Sequence, residues 1–170
     1  MSEEINIYVA DLAAYNAGKL HGIWIDATLE VDEIYKQIRE MLAASPEPIA
    51  EEFAIHDFEG FGSYRLSEWA GIEYAHDIAC FIEEYPDFGD ELLNYLTDLE
   101  EAKKLAEEGY AGRYETVEKF AEELTAEITD VPERLAYYID YEAMGRDMEL
   151  SGDIFTINPN AGEVHIFWSH

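Results

Sequence analysis

Between Glu4 and Leu12, Ile5, Ile7 and Val9 alternate with polar neighbours, and this period of two predicts a strand. The stretch AAYNAGKLHG reads as a loop, followed by a second strand around Ile23–Ile25. The period then lengthens. Val31, Ile34, Ile38, Met41 and Leu42 fall on one helical face, in a helix opening at Thr28 or Glu30 and ended by SPEP at 45–48. Glu52–Phe58 reads as a third strand, and Gly60 and Gly62 mark a turn. The first sixty or so residues thus predict a small sheet with one helix packed on it.

Residues 67–109 read as helical, with Ile72, Ala75, Ile78, Ala79 and Ile82 at core spacing. Pro86 stops that helix, because the residue before a proline avoids the α region. A second helix is predicted with Asp90 as N-cap and Leu92, Leu93, Leu96 and Leu99 buried. A third piece, EEAKKLAEEG, is expected to end at Gly109 as a C′ glycine. Residues 113–150 carry more helix, with the stripe Val117, Phe120, Ala121, Leu124 and Ile128 and a new segment at Pro132. After Gly152, Asp153–Ile157 and Glu163–Trp168 read as a closing hairpin, joined by NPNAG in a loop longer than the tight two-residue type. The fold class expected is α+β.

Composition sharpens this. Hydrophobic content of 48% and aromatic content of 14% suffice for a packed interior, unlike acidic disordered chains. Yet 39 acids oppose 10 bases, for a net charge of −29. Self-repulsion of that size opposes compaction, so a use for it is expected. Basic patches for direct nucleic-acid binding are excluded, and an anionic membrane surface would repel the chain. A single cysteine, Cys80, excludes an internal disulfide framework. The first residues carry no signal-peptide pattern and no apolar run is long enough to span a bilayer, so a cytoplasmic location is expected.

The acids are patterned. Glu83–Ala102 holds eight carboxylates in twenty residues, and Leu66–Ala102 holds eleven in thirty-seven, without a lysine or arginine. Glu73, Asp77 and Glu84 share a helix face with Cys80, and Asp87 would extend the row past the proline. Glu91, Asn94, Asp98 and Glu101 form a second row opposite the leucines. Glu115, Glu118 and Glu122 form a third, with Glu123 and Glu127 beside them. A solvated face is the ordinary reading of an acidic helix surface. Ordinary faces, however, mix signs to gain (i, i+4) pairs, and solubility needs a net charge of only about 2–8. Carboxylate rows on a stiff frame offer DNA-binding proteins the electrostatic part of their usual ligand. Crowding is expected to raise the pKa of several carboxylates between Glu73 and Glu101.

Catalytic patterns are missing: no G-x-S-x-G, H-E-x-x-H, P-loop, EF-hand loop or C-x-x-C occurs. The histidines are His21, His56, His76, His165 and His170. His56-Asp57 and His76-Asp77 have a weak likeness to metal-dependent phosphohydrolases, but the ligand spacing is poor. No catalytic residue, metal site or cofactor is expected. Cys80, at the edge of the acidic face, is read as a small packing residue.

The stretches IYVADLAAYNAGKLHGIWIDA (7–27), EEFAIHDFEGF (51–61) and YIDYEAMGRDMELSGDIF (138–155) resemble the ArdA family of antirestriction proteins, carried by conjugative plasmids, transposons and phages. The resemblance implies a non-enzymatic inhibitor that looks like B-DNA in shape and charge. It would occupy the DNA-binding groove of type I restriction–modification enzymes, on the methyltransferase core with its specificity subunit. It also implies an elongated chain of three small subdomains: a sheet with a helix at 1–62, an acidic helical middle at 63–110, and helices with a hairpin at 111–170. The imitation phosphates would be Glu73, Asp77, Glu83, Glu84, Asp87, Asp90, Glu91, Asp98, Glu100, Glu101, Glu115, Glu118 and Glu122. The family's antirestriction motif corresponds to about Val131–Asp147, near a homodimer contact. Leu135, Tyr137, Tyr138, Tyr141 and Met144 there are interface-prone types that could equally fill the monomer's core. Arg134 and Arg146 are expected as local partners of Glu142 and Asp147. Two chains at −29 each carry the phosphate charge of about 100 Å of duplex. The alternative reading is an acidic chaperone for basic DNA-binding proteins, with no defined enzyme target.

Overall fold

The computed structural model describes residues 4–67 and 69–169; Met1–Glu3, Glu68 and His170 lie outside the described residues. The chain divides into two compact units, Met1–Asp90 and Glu91–His170. The architecture is α+β, with one three-stranded antiparallel sheet in each unit.

The first unit runs β1 (Asn6–Asp11), α1 (Leu12–Asn16), β2 (Gly22–Asp26), α2 (Val31–Ala43), β3 (Phe53–Glu59) and α3 (Ile72–Glu84). Its strand order is β2-β1-β3. Ile7, Val9, Ile25 and Ile55 turn to the core face and are buried with Ile34, Ile38 and Met41 of α2. The three α2 residues stand at the i, i+4, i+7 spacing of one helical face. On α3, Ile72, Ala75, Ile78, Ala79 and Ile82 are buried as predicted, and Phe81 joins them.

Part of the predicted first loop is instead the short helix α1. Asp11 caps it: its side chain accepts a hydrogen bond from the Ala14 amide at 3.2 Å. The predicted N-cap at Asp90 is not one. The next helix, α4 (Gly89–Leu96), begins before it, and the Asp90 carboxylate accepts from the Ser63 amide at 2.8 Å. That bond ties the loop after β3 to the start of α4.

The second unit continues α4 into α5 (Leu99–Glu108), β4 (Tyr110–Tyr114), α6 (Val117–Ile128), α7 (Glu133–Ala136), α8 (Tyr141–Leu150), β5 (Ile154–Asn160) and β6 (Glu163–Trp168). Its strand order is β4-β6-β5. On one face Phe120 of α6 packs with Ile154, Val164 and Ile166. On the other, Phe155 stacks on Phe167 at 5.1 Å and on Tyr95 at 4.5 Å.

The structure departs from the sequence pattern at three further places. Strand β4 was not foreseen, because YAGRY holds a glycine and an arginine where alternation would show. Gly109 closes α5 at φ −108°, outside the left-handed region; a side chain there would crowd Leu105 and the Trp168 carbonyl. The hairpin turn is tight after all. Strand β5 resumes at Asn160 beyond an irregularity that takes in Pro159, so only Ala161-Gly162 links it to β6, with Gly162 at φ +79°.

Candidate binding surface

Helix α3 carries Glu73, Asp77 and Glu84 along one exposed face, with Glu83 exposed beside them. Cys80 sits half-buried in that row, its Sγ 3.6 Å from His76 Nε2. His76 Nδ1 is 3.0 Å from the Ala27 carbonyl, to which it donates. Burial pushes the Cys80 thiol up, and Glu83, Asp77, Glu30 and Asp26 push it the same way. Both effects disfavour the thiolate form of Cys80. Asp87 is exposed in the turn after Pro86.

The second row is broken. Thr97, at φ +61°, ends α4, and Asp98 starts α5 as its N-cap, accepting from the Glu100 amide at 2.9 Å. Glu91 therefore belongs to α4 and Glu101 to α5, with Asp98 between two helices rather than on the face of one. Glu91 and Asp90 are half-buried, whereas Asp98, Glu100 and Glu101 are exposed. In the third row Glu115 precedes the helix, because Thr116 is the N-cap of α6 and accepts from the Lys119 amide at 3.1 Å. Glu118 and Glu122 lie on α6, and all three are exposed.

The rows are not wholly without partners. Lys103 Nζ lies 3.6 Å from Glu100, and Lys119 Nζ 3.8 Å from Glu122. Such exposed pairs are worth little. The expected rise in carboxylate pKa is overturned at Glu73. Its own backbone amide and the Tyr35 hydroxyl, 2.8 Å away, hold it below the ordinary range. Charge is also broader than the predicted middle region. Met1–Asp90 has twenty acids against four bases, and Glu91–His170 nineteen against six, for net charges of −16 and −13.

Around α7, Leu135 is 51% exposed, Tyr137 92% and Tyr138 83%. Tyr141 and Met144 are half-buried on α8, and Met144 Sδ accepts from the Thr125 hydroxyl at 3.3 Å. Ile128, predicted as core, is exposed, and lines a groove with Val131, Ala136 and Tyr141. Sequence periodicity places it with the core stripe, but Ile128 is the last residue of α6, and the α6 residues packed in the core cluster are Val117, Phe120 and Leu124. Arg134 and Arg146 form no ion pair among the described residues, against expectation. Arg146 instead shares a groove with Glu118, Glu142 and Glu149.

Among the described residues no group of three or more His, Cys, Asp and Glu is arranged to hold a metal ion. His56 is exposed and meets Tyr15 edge-on at 4.8 Å, while His165 is buried between Tyr110 and Glu163. Among the described residues no helix is long and apolar enough to cross a membrane.

An acidic α+β scaffold with exposed carboxylates on both units, and exposed tyrosines on one, has the features of a protein that works by binding. The model of the antirestriction protein family ArdA matches residues 7–161, and the chain belongs to that family. Its action as an antirestriction protein is directed at restriction–modification enzymes. No curated protein matches the chain.

Proposed function

We propose that this protein inhibits type I restriction–modification enzymes by imitating B-DNA and occupying their DNA-binding groove, on the methyltransferase core and specificity subunit. The observation that carries this reading is the exposure of eleven of the thirteen candidate carboxylates, spread over both units. Phosphate-like charge supplies most nonspecific affinity for DNA-binding surfaces, so base edges need no copy. The partition into subdomains 1–62, 63–110 and 111–170 belongs to this proposal, as does action in the cytoplasm. So does a homodimer through Leu135, Tyr137, Tyr138, Tyr141 and Met144. Three of those five residues are exposed large apolar side chains on a chain of net charge −29, which favours a covered patch.

The test is competition against labelled duplex DNA for a purified type I methyltransferase core. Displacement at one fixed stoichiometry is expected. No displacement would sink the proposal. Graded, unsaturated binding to any cationic protein would favour the acidic-chaperone reading instead. Sedimentation at low and moderate salt tests the dimer, which should tighten as salt screens the repulsion of like chains.

A further inference from the structure

The first sheet has a second face. Strand register places Trp24, Tyr8 and Asp57 side by side across β2, β1 and β3, and Asp26, Asn6 and Glu59 in the adjacent row. Residues directly opposite one another point to the same side, and these alternate with the core-facing Ile7 and Val9. Trp24 is 44% exposed, and Asp57 and Glu59 are exposed. The Trp24 and Tyr8 rings lie 5.4 Å apart. Tyr8 reaches over Gly22, where a Cβ would stand 2.6 Å from its hydroxyl. The neighbouring carboxylates are oriented: Asp57 Oδ1 accepts from the Phe58 amide at 2.8 Å, and Glu59 accepts from the Asn6 amide group at 2.9 Å.

A mimic working by charge alone has no use for an indole and a phenol on an open sheet face. An aromatic pair edged by carboxylates has a specific complement. The two rings are tilted 49° to each other, so a guanidinium stacks flat on one ring face beside the other and forks its N–H groups onto an adjacent carboxylate, whereas an ammonium is a compact, strongly hydrated point charge. Asp57 stands about 5 Å from Tyr8 across the strands, and Glu59 about 7 Å further along β3. Both distances suit a side chain lying over the rings.

We propose that this face is a docking site for an arginine side chain of the partner's cationic surface, with Trp24 and Tyr8 as the stacking platform and Asp57 as the ion-pairing group. It rests on the preceding reading only in taking the partner to be a cationic protein surface. It adds an anchor of one residue type to an otherwise distributed charge pattern.

The full-length protein is titrated with two peptides of equal length and charge, one alternating glycine and arginine, the other glycine and lysine. Amide and indole resonances are followed by NMR. The arginine peptide should move the Trp24 indole and the Tyr8 and Asp57 amides, and bind about twofold to fivefold more tightly than the lysine peptide. Trp24→Leu should erase that preference while leaving lysine-peptide binding unchanged. Equal affinity of the two peptides for the natural chain overturns the proposal. So does an arginine preference that survives Trp24→Leu with native circular dichroism. Should that variant fail to fold, the resonances of the natural chain decide: shifts that leave Trp24, Tyr8 and Asp57 untouched overturn it. Loss of self-association in Trp24→Leu would make a second copy the occupant and overturn it too. If duplex competition on the methyltransferase core fails while the arginine preference holds, the enzyme assignment falls and this site stands. If competition succeeds and the preference is missing, this site falls alone.

Discussion

The two sheets share an all-antiparallel, three-stranded plan and differ in what covers them. In the second unit the central strand β6 buries Val164, His165, Ile166 and Phe167 in succession, because α6 covers one face while Tyr95 stacks on the other. In the first unit β1 begins with alternation, burying Ile7 and Val9 and leaving Asn6 and Tyr8 half-open. A sheet covered on both sides is interior and has nothing to display. A sheet covered on one side is itself a surface, and here it carries Trp24, Asp57 and Glu59. The units therefore present their chemistry differently: the first from a sheet face and α3, the second from its helices and the segment around α7.

The sharpest break of this comparison is a pair of truncations. Phe167→Ala should destabilise by about 3–5 kcal/mol, since a fully buried ring is lost. Trp24→Ala on the open face should cost about 1 kcal/mol or less. Chemical denaturation measures both, and equal costs would mean that the first sheet's second face is not free.

Next come the helix caps. Asp11 is fully buried and Asp140, which accepts from the Ala143 amide at 3.0 Å, is exposed. Asp11→Ala should cost about 2 kcal/mol and Asp140→Ala about 0.5–1 kcal/mol. A reversed order in denaturation would contradict the burial difference.

A smaller effect concerns pH. Glu163 in the second unit is held below the ordinary carboxylate range by Asn160 above all, and by Arg113 and His165. Glu73 is held down in the first unit by its backbone amide and Tyr35. A depressed folded pKa gives stability that is present above the unfolded value of about 4 and lost as pH falls through the folded one. The advantage of the natural chain over Glu163→Gln and over Glu73→Gln should therefore be full at neutral pH and vanish in acid. Thermal melts at constant ionic strength test it; an advantage that grows on acidification would reverse the sign. Smallest of all is the loss of one peripheral charge. Asp98→Asn keeps a capping side chain and should change inhibition less than about twofold. Abolition of inhibition by that single change would contradict a distributed charge pattern.

Much of this was readable beforehand. Helices α2 and α3 stood out through clean apolar spacing, and β1 through its alternation. The break between α4 and α5 was legible, since EEAKKLAEEG reads as a separate piece, but it falls earlier, at Thr97, because a left-handed threonine is set by tertiary packing and not by local preference. Asp90 looked like a cap because it is an aspartate just ahead of the leucines at 92, 93 and 96, yet its partner is Ser63, 27 positions away in sequence. The open-face platform was hidden for the same reason. Tyr8, Trp24 and Asp57 are far apart along the chain and meet only through strand register.

Helix α5 has ten residues, short of the length at which an isolated helix is stable in water. Leu99, Ala102 and Ala106 are its buried residues, small holdings for an element bearing Glu100, Glu101, Glu107 and Glu108. Its amide hydrogens should therefore exchange with solvent well before those of β6, through local detachment that leaves the sheet intact. Early exchange there would mean that the charge of Glu100, Glu101, Glu107 and Glu108 reaches its surroundings as a time average over docked and detached states.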